Sequence, residues 1–301
     1  MNLAKAPAGR SRAAISSRAA LLAQQRSWAQ SRALDTDSKG YLAEWSHNLY
    51  QPLSPRAEQA FKRGGGSELL SGNDRRAKMS ALHSSAALAV NVFDYWSERA
   101  SAPLVTALGL SGPADPIEFE AQFPTGLDGT PPNLDVAIRF DSGVVTGIES
   151  KFTEWLAPKS PNKEHFRDKY FDVGETARGL WTSAGLSKCQ ELAEAMHAKA
   201  TGFRYLDAAQ LLKHALGLAT QHRNRFSLYY LFYDLQGRES AKHRGEVQAF
   251  ADAVGDEIGF RWDTYQAMFE RLVTQAALQH PSYVDYLRQR YFADRTSDIH
   301  R

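Results

Sequence analysis

The chain has 301 residues, 43% of them hydrophobic and 23% charged, which excludes a collagen-like, low-complexity or wholly disordered polymer. Its 36 Lys and Arg nearly balance its 34 Asp and Glu, and a formal charge of +2 argues against a protein that binds polyanions by bulk charge. One cysteine, Cys189, leaves no internal disulfide and no Cys-rich zinc site, so no oxidising compartment is needed and the cytoplasm is the expected location.

The charge is unevenly spread. Residues 1–34 carry six bases (Lys5, Arg10, Arg12, Arg18, Arg26 and Arg32) and no acid, so a +6 segment precedes a body of −4. Good helix formers from Ala13 to Ala33, with Ile15, Leu21, Leu22 and Trp28 as apolar points, predict a helix. It reads both as an amphipathic helix docked on the body and as an arm contacting phosphates, and the two readings are compatible. Residues 1–63 are thus read as a basic helical N-terminal arm and 64–301 as the main α/β domain. No apolar run approaches the ~20 residues of a membrane-spanning helix, so no membrane partner is expected.

Gly64-Gly65-Gly66 is not followed by Gly-Lys-Ser/Thr, so it is not a phosphate loop; a turn leading into a helix at Ser67 is expected instead. Ser84 precedes the periodic apolar residues Leu88, Val92 and Trp96, predicting a helix over Ser84–Glu98. Pro116–Phe123 alternates, with Ile117, Phe119 and Phe123 expected on one side and Glu118, Glu120 and Gln122 on the other. Leu134–Phe140 and Val144–Thr153 form a predicted hairpin about Asp141-Ser142-Gly143. Helices are predicted over Ser187–Lys199 and Leu206–Thr220, and a buried strand over Arg225–Leu235. Helices Glu239–Val254, Thr264–Leu278 and Pro281–Tyr291 follow, with a short strand Ile258–Trp262 between the first two. The order is that of a mixed α/β chain.

The hairpin carries the chemistry. Residues two apart in a strand share a face, so Glu149 and Lys151 project together, with Gly147 leaving room beside them. Asp135 starts the paired strand. Two carboxylates and one ammonium therefore converge at one end of the hairpin. A second acid-x-Lys tripeptide, Asp37-Ser38-Lys39, lies in a polar, turn-like stretch and is set aside. The histidines show no His-Glu-x-x-His, and Cys189 reads as a buried thiol, so zinc is not expected.

This set resembles the PD-(D/E)XK nuclease superfamily, which includes many restriction endonucleases. The matching residues are Asp135 in Pro132-Asn133-Leu134-Asp135 and Glu149-Ser150-Lys151; Pro132 stands three residues before the Asp rather than beside it. The resemblance implies a restriction-endonuclease-like fold: a mixed central sheet flanked by helices, here with the helical N-terminal arm and helical additions. It implies a metal-dependent endonuclease acting on DNA, in a restriction or defence role. Asp135 and Glu149 would hold Mg²⁺, or Mn²⁺ in its place, with the Ser150 backbone carbonyl as a further ligand, and Lys151 would orient water or stabilise charge. Glu120 is the best supporting acid, ahead of Glu118 and Glu68, and Gln210 is the amide expected on the helix after the lysine strand; Asn91 is a weaker polar candidate. Lys159, Lys163, Arg167 and Lys169, interleaved with Phe166, Tyr170 and Phe171, are candidate DNA contacts that position a duplex without reading it. The helical remainder would supply target recognition, homodimer contacts or both. The competing class is a non-catalytic nucleic-acid- or partner-binding protein that keeps the fold.

Overall fold

The computed structural model describes residues 16–64, 67–72, 75–160, 166–171, 179–235 and 237–293. Four helices come first: α1 (Ser17–Ser31), α2 (Pro55–Arg63), α3 (Ser85–Phe93) and α4 (Ala102–Ala107). Three strands follow, β1 (Ala114–Gln122), β2 (Asn133–Phe140) and β3 (Val145–Lys151), then α5 (Leu180–Ser183), α6 (Ser187–His197) and α7 (Ala208–His222). The chain continues through β4 (Phe226–Phe232), α8 (Arg238–Val254), β5 (Arg261–Thr264), α9 (Tyr265–Ala276) and α10 (Pro281–Tyr291). Several starts are set by local chemistry. Ser16, Ser54, Ser84 and Thr264 each stand at an N-cap and accept from the backbone N–H three residues on, satisfying a donor the helix leaves open.

The sheet runs β1-β2-β3-β4-β5. The first three strands are antiparallel neighbours; β4 lies parallel to β3, and β5 parallel to β4. A parallel neighbour requires a crossover, and α5–α7 supply it. The C-terminal ends of β3 and β4 therefore meet at one edge of the sheet, beside the N-terminal end of β2. That edge is where Asp135, Glu149 and Lys151 sit.

Each sheet face buries its own core. One core packs Ile117, Phe119, Val136, Ile138, Ile148 and Leu231 against apolar residues of α1, α3, α9 and α10. The other packs Leu134, Ala137, Leu228 and Tyr230 against α6, α7 and α8. The expected alternation of β1 holds only up to Phe119. Ile117 and Phe119 belong to the first core, whereas Ala121 and Phe123 belong to the second. Glu120 explains the switch: its φ of +48° is left-handed, and a residue there turns the following side chains to the other face.

No helix follows the glycines at 64–66. Residues 67–72 are irregular, and Ser67 and Glu68 instead offer their carbonyls to the N–H groups of Lys78 and Met79. The predicted helix over Ser84–Glu98 ends early at Phe93 and tightens into a 3₁₀ turn over Asp94–Trp96. Asp94 is there occupied with the start of α2, accepting from Ser54 N (2.8 Å) and Ser54 Oγ (2.6 Å). α1 is docked rather than loose: Leu21, Trp28 and Ala29 are buried, and Gln25 Nε2 donates to the Arg290 carbonyl at 2.8 Å. The Arg290 guanidinium is itself fully buried and lies 4.0 Å from the centre of the Trp28 ring.

α7 approaches the sheet closely at Gly217, where a Cβ would fall 2.2 Å from the Phe123 carbonyl oxygen. Gly217→Ala must therefore push α7 off the sheet. It should cost about 1–3 kcal/mol, read as a lower urea midpoint with unchanged m-value. An unchanged midpoint would show that the contact has slack.

Candidate active site

β3 is buried along nearly its whole length, and its last three residues divide between the two faces. Ser150 turns toward the first core, where its Oγ is 2.6 Å from the Tyr265 hydroxyl. Only its backbone is left on the acidic edge, and its N–H donates to Asp135 Oδ2 at 2.7 Å. Glu149 and Lys151 turn the other way, beneath α7. The Lys151 ammonium contacts Glu149 Oε1 directly and lies 3.3 Å from Gln210 Oε1. Glu149 is 1% exposed and the Lys151 side chain 17%. β3 ends there because Glu154 Oε2 accepts from the N–H groups of Phe152 (2.8 Å) and Thr153 (2.9 Å), turning the chain away.

The electrostatics follow from burying two acids beside one base. Burial pushes the Asp135 carboxyl well above the usual range, and the Glu149 charge adds to it against the pull of Lys151. Burial alone would raise Glu149 too, but the Lys151 ammonium and His214 beside it override that and bring it to about 2. For Lys151 burial opposes the charge, yet Glu149, Asp135 and Glu154 outweigh it and hold its pKa above the ordinary lysine value. The site at neutral pH is an ionised Glu149, a charged Lys151 and an Asp135 that resists ionisation.

Glu120 borders the same edge. It is part-buried beside Gly64, accepts from Asn133 Nδ2 at 3.0 Å, and has its carboxyl raised by burial and by the Glu149 charge. Glu68 is also raised by burial, with Glu120 and Glu154 adding to it, and pairs with Lys78 at 3.3 Å. Glu118 is not part of the group: it faces Arg139 in a two-pronged pair at 3.1 and 3.2 Å. Asn91 bonds Tyr291 Oη (2.9 Å), the Asn48 carbonyl (3.0 Å) and Tyr50 N (2.7 Å), inside the first core.

α7 brings a residue that sequence reasoning passed over. His214, one turn after Gln210, is 1% exposed, and its Nε2 lies 3.0 Å from Glu149 Oε2. The four-residue spacing puts both side chains on one helix face, and that was the available signal. Asp207 caps α7 by accepting from Gln210 N at 3.2 Å.

Of the candidate DNA contacts, Lys159 is ion-paired with Asp207 and so stands beside the site. Lys169 donates to the Asp128 carbonyl, tying its segment to the β1–β2 connection, and Arg167 is exposed. Lys163 lies outside the described residues. The interleaved aromatics face inward: Phe166 is buried, and it, Tyr170 and Phe171 all pack on Trp181. They are a seat for the segment, not a surface for stacking bases.

The residues suit a hard divalent cation. Asp135 and Glu149 are crowded carboxylates, with Glu149 held between Lys151 and His214. Among the described residues no three His, Cys, Asp or Glu side chains form a ready-made cage. An ion here would thus be held by one or two carboxylates and water, the usual habit of Mg²⁺. Among the described residues no helix is long and apolar enough to cross a membrane.

No curated protein and no solved structure matches this chain. A family model described as Restriction Endonuclease associating with ARP matches residues 16–292.

Proposed function

The chain belongs to the family described as Restriction Endonuclease associating with ARP, and from that premise we propose that it is a metal-dependent endodeoxyribonuclease of the PD-(D/E)XK type. The observation that carries the reading is the buried Glu149–Lys151 pair at the end of β3, with Asp135 alongside on β2. The substrate is DNA and the role is restriction or defence.

In this reading Asp135, Glu149 and the Ser150 carbonyl would hold Mg²⁺ or Mn²⁺. Once bound, the ion would acidify a water and polarise the scissile phosphate. Lys151 stays protonated at neutral pH, so it is not the general base. Its ammonium instead stabilises charge growing on the phosphate oxygens and holds the attacking water in line. Gln210 accepts from that ammonium and fixes its direction. Glu120 adds a supporting carboxylate at the rim. Lys159, Arg167 and Lys169 meet backbone phosphates and set the register of the duplex without reading bases.

The test is cleavage of supercoiled plasmid and linear duplex by the full chain with Mg²⁺ or Mn²⁺, with EDTA as control. Nicking or linearisation that EDTA abolishes is the expected result. Inactivity on DNA and RNA alike, with either ion, would sink the proposal. Retained DNA binding without cleavage would leave a binding protein that keeps the fold.

A further inference from the structure

The acidic edge has two sides, because each sheet face carries its own layer. α7 lies in the second core, and Lys159, paired with Asp207 at the start of that helix, stands on its side. On the first-core side lie α1 and residues 37–42 and 75–83; Leu21, Leu42, Met79 and Leu82 all belong to that core. Residues 75–83 carry Arg75, Arg76 and Lys78 and no acid. Backbone bonds hold these segments together: Leu42 N donates to the Ser80 carbonyl and Leu82 N to the Gly40 carbonyl, each at 2.9 Å. From α1, the Arg26 guanidinium donates to the Ser38 carbonyl.

The bases of this layer project outward and border the site. Arg76 meets Asp37 at 3.4 Å, and Lys78 meets Glu68 at 3.3 Å. In each pair the base is the more exposed partner, 49% against 26% and 61% against 15%. The acids thus orient the bases without covering them, and a guanidinium has five donors and an ammonium three. Burial raises the Glu120 carboxyl and Glu149 adds to it, while Lys78 is near enough to oppose both. Burial lowers the His83 imidazole, and Arg18 and Arg26 of α1 add to that against the pull of Glu154, the residue that ends β3.

We infer that Arg76 and Lys78, together with Arg18 and Arg26 of α1, form a second wall for duplex DNA, contacting backbone phosphates on the sheet face opposite Lys159. This rests on the reading of the edge as a DNA-cleaving site. Charge complementarity selects the occupant: a duplex bears one negative charge per about 1.7 Å of its axis. With bases on both faces, each backbone of the duplex meets one wall while the scissile phosphate lies over the edge.

The experiment titrates the full chain against a labelled short duplex in EDTA, over about 50–200 mM salt, so that binding is read without cleavage. Arg76→Gln combined with Lys78→Gln should weaken binding at least about tenfold and flatten the slope of log K against log salt by about two, near one per phosphate contact. Arg18→Gln should flatten it by about one. An arginine in the first turn opposes the helix dipole, so that variant folds and decides the point even where circular dichroism shows the double variant disturbed. Lys188→Gln is the matched control. Lys188 is a similarly exposed base, 51%, paired with Asp256 at 2.7 Å. It lies beside Glu257, next to Ile258 at the start of β4, the end of the sheet away from the site. Its loss should leave the slope unchanged. Unchanged slopes in the other variants, or an equal loss in Lys188→Gln, would overturn the assignment, as would a wild type that binds no duplex. Plasmid cleavage with unchanged slopes removes this inference and leaves the nuclease reading standing. Flattened slopes without cleavage do the reverse.

Discussion

Lys151→Ala is expected to lower DNA cleavage by about 10³-fold or more while leaving DNA affinity within about threefold. The ammonium contacts the buried Glu149 carboxylate directly and is mostly shielded from solvent. In the proposed mechanism it acts on charge that develops during the reaction, so its loss should appear in kcat rather than in KM. The same change also strands Glu149. Removing one partner of a buried pair costs about 3 kcal/mol, because the remaining charge is left without compensation. The pH dependence gives the sign. Glu149 is held at about 2, below its ordinary 4.5, so its stabilising contribution is present above pH 4.5 and lost as pH falls toward 2. The melting temperatures of wild type and Lys151→Ala should therefore differ most near neutrality and converge in acid. Adding Glu149→Gln to the variant should recover stability but not cleavage. If the single variant cuts DNA at the wild-type rate, Lys151 has no part in the chemistry.

Asp135→Asn should show the opposite pairing of effects: cleavage lost and stability gained. Burial and the Glu149 charge raise the Asp135 carboxyl well above its unfolded value. For an acid raised on folding, the contribution is fully present below the unfolded pKa and is lost as pH climbs through the folded one. Near pH 8 the wild type must either ionise Asp135 at a cost or hold its proton at a cost. Asparagine removes that choice, and its amide oxygen still accepts from Ser150 N–H. A gain of about 1 kcal/mol, or a few degrees in melting temperature, is expected at pH 8, vanishing below about pH 4. A variant less stable than wild type at pH 8 would show that Asp135 is not under electrostatic strain.

The sequence and the structure agree where a local pattern is strong and part where packing decides. The apolar runs placed β2, β3 and β4 to within a few residues, and Pro281 marked the start of α10. α2 and α4 were not anticipated; each is short, and α4 buries Leu104, Val105 and Ala107 without a long periodic stretch to announce them. The reversal within β1 was not legible because it depends on the backbone of one residue, Glu120, whose side chain gives no hint of a left-handed conformation. Asp135, Glu149 and Lys151 could be placed together because one hairpin contains them. His214 was legible only as sharing the Gln210 face of α7; its position over Glu149 depends on how α7 packs on the sheet.

The buried Arg290 bears on how the chain acquires its shape. Its guanidinium rests on Trp28 while its backbone carbonyl receives Gln25, a contact spanning 265 positions. A ribosome emits α1 long before it emits α10, so α1 waits with its aromatic face uncovered until more than two hundred further residues have appeared. Contacts of such long span are closed late and slowly. The clasp between the two helices is thus a finishing step of folding, completed after the sheet and its acidic edge can already have formed.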